Sequence, residues 1–178
     1  MKLSQNGLAI RSKTNQIVKK YSHDKYIVAL VKDEIKCEGL TTLKRDEPEV
    51  FINHIRSEMI KIAKMTGNDD VMDGDVIVLI ADSLLDIYGN FLTLPDISYA
   101  VQKGISGQFG KVYGKINPMM ILEWIKMYEE DKIRRIEELR IKEAEQFKGG
   151  GPRSDGTQSF KDSIREAQNQ YLKDNKNG

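Results

Sequence analysis

The residues that could do chemistry in this 178-residue chain are few, and most stand in the wrong order for it. Gly104, Gly107, Gly110 and Gly114 invite a phosphate cradle. Their spacing is G-x-x-G-x-x-G, whereas a dinucleotide fold needs G-x-G-x-x-G after a strand, and a phosphate loop ends in Gly-Lys-Ser/Thr. A structural reason serves these glycines better, since they admit positive φ and let two helices approach closely. The loop Asn68-Asp69-Asp70 to Asp73-Gly74-Asp75 offers carboxylates to a calcium ion. An EF-hand loop requires D-x-[DN]-x-[DN]-G and a distal glutamate, and here both the order and the glutamate are missing. The aspartates suit a solvated turn that leads into a helix N-terminus, where negative charge is favoured.

His23 and His54 lie far apart, neither beside an acid and a nucleophile, and read as surface or boundary residues. The single Cys37 rules out an intramolecular disulfide and a cysteine-built metal site, and reads as a small core or boundary residue. The sequence therefore assigns no catalytic residue, no metal ligand and no cofactor, and a non-enzymatic protein is expected. What remains is binding. Lys103, Lys111, Lys115 and Lys126 gather around the glycine-punctuated connector, which also carries Phe109 and Tyr113. Cations beside a turn between two helices suit contact with a phosphate backbone. The connector is longer than the three or four residues of a helix-turn-helix.

The elements that must position these residues are helices. Residues 1–13 are polar and read as a mobile arm, after which Thr14 is placed to cap a short helix, NQIVKKY. Asp24 is placed to cap another, in which Ile27, Val31 and Ile35 recur at helical spacing up to Gly39. LTTLKRDEP, residues 40–48, reads as a loop. Pro48 opens a helix with Phe51, Ile55, Met59 and Ile62 on one face, ending near Gly67. In VIVLIADSLLDIY, Ile77, Ile80, Ala81, Leu84 and Tyr88 share a face, while Val76, Val78, Leu79, Leu85 and Ile87 widen it almost to a full circle. A helix apolar nearly all round is expected at the centre of the fold.

Thr93 and Asp96 form a capping box around Pro95, and the helix it starts ends at Gly104. Asn117-Pro118 starts the last major helix, expected to reach about Phe147. Its first turns carry Met119, Ile121, Leu122, Trp124, Ile125 and Tyr128. From residue 131 it turns charged, with acid-before-base pairs that favour an exposed arm and a thin apolar stripe that would allow self-association. Lys148-Gly-Gly-Gly-Pro152 is a flexible linker. Beyond it Phe160, Ile164, Ala167 and Tyr171 fall on one face of a short helix, a form suited to hooking a groove on a protein partner. The expected architecture is all-α. A mobile arm at 1–13 is followed by a compact helical domain of about five or six helices at 14–130, a charged helical arm at 131–147, and a linker with a tethered helix at 148–178.

Lys+Arg 28 against Asp+Glu 27 leaves a net charge of +1, so no global pull toward nucleic acid or membrane exists and any such contact must be local. No apolar run approaches the about 18–20 residues of a membrane span. With a single cysteine and no leader-like start, a soluble protein of the cytoplasm is expected.

Tyr88, Leu92, Leu94, Asp96 and Ile97, then Gly107, Gly110, Tyr113 and Gly114, then Ile121, Trp124, Ile125 and Tyr128 make a pattern within residues 49–135. The pattern resembles small, mostly uncharacterised proteins of phages and mobile elements in the Bacteroidales, although Phe109 stands where tyrosine is commoner. The resemblance implies a phage or mobile-element context and assigns no site residues. The expectation is an accessory protein of DNA metabolism, in replisome assembly or helicase recruitment, contacting DNA through Lys103, Lys111, Lys115 and Lys126 and a protein partner through Phe160, Ile164 and Tyr171. A virion structural or cargo protein is the alternative.

Overall fold

A computed structural model describes residues 3–67, 73–111 and 115–149, the last three by backbone alone. Seven helices run through the described residues: α1 Gln5–Lys20, α2 His23–Val31, α3 Leu40–Asp46, α4 Pro48–Thr66, α5 Gly74–Tyr88, α6 Leu94–Ile105 and α7 Pro118–Gly149. The fold is all-α, as expected, with one helix more than the upper count. The chain divides into two units, residues 1–139 and 140–178. The seven-helix packing belongs to the first. In the second, the described part is the end of α7, on which Ile141 is exposed. The linker expected from residue 148 begins later, since α7 runs to Gly149; residues 150–152, Phe160, Ile164 and Tyr171 lie outside the described residues, as do Tyr113, Gly114 and residues 68–72.

Most helix ends lie where local chemistry puts them. Pro48 occupies the first turn of α4, and Gly67 closes it with φ 67°. Asp73 caps α5 by accepting from Asp75 N. Thr93 and Asp96 complete the capping box of α6. Asn117 Oδ1 accepts from Met120 N at 3.0 Å, capping α7 behind Pro118. The predicted core face of α4, Phe51, Ile55, Met59 and Ile62, is fully buried.

Two stretches expected to be irregular are helical. Residues 5–13 are not an arm but the first turns of α1, capped by Ser4, whose Oγ accepts from Gly7 N at 2.8 Å and donates to Glu47 at 2.7 Å. The buried side of α1 is Gly7, Thr14 and Ile17, too small and too polar to show as an apolar stripe. Thr14 therefore sits inside the helix rather than capping it. Residues 40–46 form α3 because Leu40 and Leu43 are both buried and the backbone is held from outside. Leu40 N donates to Leu92 O at 3.1 Å, and Thr41 N to Gly89 O at 2.9 Å. In the other direction, α2 stops earlier than its spacing predicts, since Asp33 takes a left-handed φ of 58°.

The centre of the fold is not α5. Every residue from Leu92 to Val101 is buried, which makes α6 the hub, packed against α1 and α4. Its Asp96 and Ser98 are tolerated there because each is hydrogen-bonded. On α5 the predicted face, Ile77, Ile80, Ala81, Leu84 and Tyr88, is buried, but Val78, Leu79 and Ile87 are 51%, 55% and 65% exposed. The most apolar helix lies on the outside.

The charged stretch of α7 also begins later than expected. Lys132 is buried, Asp131 is largely covered, and Ile136 and Leu139 pack against the core, so the first unit extends through Leu139.

Candidate functional site

At the start of α6 a buried polar network is fully partnered. Asp96 Oδ2 accepts from Thr93 N, Thr93 Oγ1 and Lys132 Nζ, each at 2.8 Å, and Oδ1 accepts from Tyr128 OH at 2.7 Å. Because Thr93 Oγ1 donates to Asp96, Tyr26 OH must be the donor in its 2.9 Å contact with Thr93 Oγ1. Burial, followed by the Asp96 charge, raises the Tyr26 and Tyr128 phenols far above their ordinary range. Lys132 also donates to Phe91 O at 3.2 Å and stands 4.6 Å from the Phe91 ring. With four donors on one carboxylate, this network joins α6 and α7 to the α5–α6 turn and offers nothing to a substrate. Lys132 was invisible in the sequence, where it stands among charged neighbours.

A second cluster brings a serine, a histidine and a glutamate together. Ser98 Oγ donates to Glu58 Oε1 at 2.7 Å and lies 3.2 Å from His54 Nε2. His54 Nε2 is also 3.0 Å from Leu94 O and 3.7 Å from Glu58 Oε1. A nucleophile relay uses the two ring nitrogens separately, one toward the hydroxyl and one toward the acid. Here one nitrogen faces all three groups, and Ser98 is buried. The arrangement holds α4 to α6 and is not wired to move a proton. His54, expected at the surface or boundary, is part-buried with its side chain 8% exposed, and burial lowers its pKa.

The four lysines do not form one patch. Lys103 directs its ammonium at Asp131 Oδ2, 2.6 Å away, between the rings of Phe109 and Tyr128, and its side chain is largely covered. It is removed from the phosphate-contact set, because a cation already bonded and partly desolvated would have to break that pair to bind. Lys111, Lys115 and Lys126 have exposed side chains on the connector and α7. The glycines around them act structurally: Gly107 and Gly110 take φ 77° and 108°, and Gly104 lies directly against Trp124.

Beside Lys103 opens a cleft of about 490 Å³ lined in part by His23, Asp24, Tyr99, Gln102 and Arg135. Arg135 pairs with Asp131 at 3.0 Å and with Asp24. The His23 ring lies 5.5 Å from Tyr99 and 5.0 Å from Tyr128, and neither ring nitrogen has a hydrogen-bond partner among the described residues. Burial first, then the Lys103 and Arg135 charges, lowers its pKa to about 4, so the ring is neutral. Among the described residues no three of His, Cys, Asp and Glu converge as a metal ion requires.

The outer side of α5 has the character of a binding surface. At about 100° per residue, Asp75, Val78, Leu79, Asp82 and Asp86 share one side of the helix, and Ile87 lies about 80° beyond Leu79. All six are exposed. Asp82 meets Lys44 of α3 at 3.3 Å, and Asp75 and Asp86 have no cationic partner among the described residues. The result is an apolar strip interleaved with carboxylates. No protein-family model, curated protein or solved structure matches the chain.

Proposed function

We propose that the chain is a non-enzymatic accessory protein of phage or mobile-element DNA metabolism, in replisome assembly or helicase recruitment, and that it works by holding a protein partner on the outer face of α5. The observation that carries this reading is the inversion of the expected core. A helix apolar nearly all round costs least when surrounded, and this one leaves Val78, Leu79 and Ile87 in water. The interleaved Asp75, Asp82 and Asp86 select the occupant: an amphipathic helix with basic residues flanking its apolar stripe. The phage or mobile-element setting rests on the resemblance of residues 49–135. Lys111, Lys115 and Lys126 serve as the remaining phosphate contacts if DNA is held alongside the partner. No helix of the described residues is long and apolar enough to cross a membrane.

The test is recovery of partners, after nuclease treatment, from cells that make the protein. Full-length protein is compared with the Leu79→Lys/Ile87→Lys variant and with a chain truncated at Gly149. Recovery of a helicase, primase or polymerase subunit that the α5 variant loses supports the reading. A partner lost only on truncation moves the contact to Phe160, Ile164 and Tyr171. Capsid, portal or tail proteins in its place favour the virion alternative. A full set of partners retained by the α5 variant sinks the α5 surface.

A further inference from the structure

The net charge of +1 hides a segregation of charge along the chain. Helix α1 carries four cations, Arg11, Lys13, Lys19 and Lys20, and no acid, while α5 carries three carboxylates and no cation. A helix of one sign is a local field for a partner of the other. All four cations are exposed, and none is in an ion pair or a side-chain hydrogen bond with the described residues. Lys20 stands 5.0 Å from the Tyr21 ring. The acids nearest α1 do not cancel this charge. Glu47 accepts from Ser4 and Asn6 at the start of the helix, and buried Glu58 is held by Ser98 and Lys61. Exposed Glu38 shares a cavity wall with both Lys13 and Lys36.

The cations are arranged around a neutral ridge. Only Gly7, Thr14 and Ile17 of α1 are fully buried. At about 100° per residue, Gln5, Ser12, Gln16 and Lys19 line the opposite side of the helix. From Ser12, Arg11 lies about 100° to one side, with Lys20 and Lys13 about 80° and 100° to the other. A helix with its side chains is about 10–12 Å across, and the major groove of B-form DNA is about 12 Å wide. Seated there, the amide and hydroxyl ridge faces base edges, whose donors and acceptors it matches, and the shoulder cations face the two phosphate backbones. Other polyanions fit less well. An anionic membrane needs an apolar face between the cations, and Leu8 is the one exposed large apolar side chain of α1. The acidic strip of α5 in a second copy has the same need, because Val78, Leu79 and Ile87 call for an apolar partner. The major groove of duplex RNA is too deep and narrow for side chains to read.

We propose that α1 enters the major groove of duplex DNA, with Gln5, Ser12 and Gln16 toward base edges, Arg11 on one phosphate backbone, and Lys13 and Lys20 on the other. The contact is separate from the α5 surface and from the connector lysines, and stands without either. The test is selection of duplexes from a random-sequence pool by the full chain, then affinity for the selected duplex across a range of salt. An enriched sequence is expected. Lys13→Gln/Lys20→Gln should weaken binding by about tenfold or more and make the slope of log K against log salt shallower by about two. Ser12→Ala/Gln16→Ala should keep that slope and lose about tenfold or more of the preference for the selected over a scrambled duplex. These positions are exposed, and circular dichroism and Tm verify that each variant is folded. The proposal is overturned if no duplex is retained, if the lysine variant keeps the parent's slope, or if the ridge variant discriminates like the parent. Equal binding to the RNA duplex of the same sequence, or to phosphatidylserine vesicles, overturns it too. DNA binding lost in Lys111→Glu/Lys126→Glu and untouched in both α1 variants also overturns it, and leaves the connector as the contact. Partner recovery by the α1 variants tests the α5 surface independently.

Discussion

Trp124 occupies the space that any side chain at residue 104 would need: a Cβ on Gly104 would stand 2.1 Å from Trp124 Cδ2 and 2.2 Å from Cε3. The indole lies directly on the α6 backbone, and neither ring nor helix can yield without disturbing the hub. Gly104→Ala is therefore expected to destabilise the fold by about 1–3 kcal/mol through overpacking. Urea unfolding measures this. The same substitution beside Trp124→Leu should cost less, and an equal cost in both backgrounds would show that Trp124 is not the obstacle.

Lys132 supplies the only cation on the buried Asp96 among the described residues, at 2.8 Å. Lys132→Met leaves the carboxylate with its threonine and tyrosine donors but no counter-charge. Removing one partner of a buried pair costs about 3–5 kcal/mol. The Asp96→Asn/Lys132→Met pair should recover part of that loss in a double-mutant cycle. Strictly additive effects would mean that the two groups are not coupled.

Stability should fall as the pH drops from about 6.5 to about 4, the ordinary and the folded pKa of His23. Burial depresses the folded value, so between those limits the unfolded chain binds the extra proton and protonation favours unfolding. The contribution is complete above 6.5, lost on the way to 4 and flat below it, about 1–2 kcal/mol once solvent screening at the cleft is allowed for. His54 shifts in the same direction. Burial would raise Asp131, but hydrogen bonds from Lys103 and Arg135 hold it at about 2, so it titrates below this window. Stability measured across the window in His23→Gln should show a shallower slope, and an unchanged slope would assign the effect elsewhere.

Among the lysines, Lys103→Glu should lower Tm because it sets a new carboxylate against Asp131 beneath the Tyr128 ring. Lys111→Glu and Lys126→Glu, on exposed positions, should leave stability within about 0.5 kcal/mol. Loss of DNA retention in the latter pair, with the fold intact by circular dichroism, would locate the phosphate contact. Undiminished retention would remove it.

On α5, Leu79→Lys and Ile87→Lys should leave urea stability within about 0.5 kcal/mol, since neither side chain is buried within the chain. A large loss would mean that this face is covered by the chain itself and is not a surface for a partner.

Where a signal depends on neighbours in the chain, it was legible in the sequence. The Thr93–Asp96 box, Asn117-Pro118, Pro48 and Gly67 each satisfy a helix end with atoms a few residues away, and each stands where expected. So does the periodic face of α4, because one surface of a helix is written every three or four residues. The helix in the α2 region, and the all-α class itself, follow from the same periodicity.

What only the tertiary structure decided is which surfaces meet. Burial belongs to pairs of elements. The polar hub α6 is central because Asp96 and Ser98 find donors and acceptors 36 and 40 residues away, on Lys132 and Glu58. The apolar α5 is peripheral because no other described helix of the first unit covers its outer side. Lys103 reads as a phosphate contact, and Lys132 as one charge of an exposed arm, until Asp131 and Asp96 are brought to them. The outward ridge of α1 is set by its glycine and threonine face, hidden in the sequence, which packs on α4 and α6. Local chemistry set where most of the helices begin and end. Long-range packing set which of its faces is core, which is ion pair, and which is left for a partner.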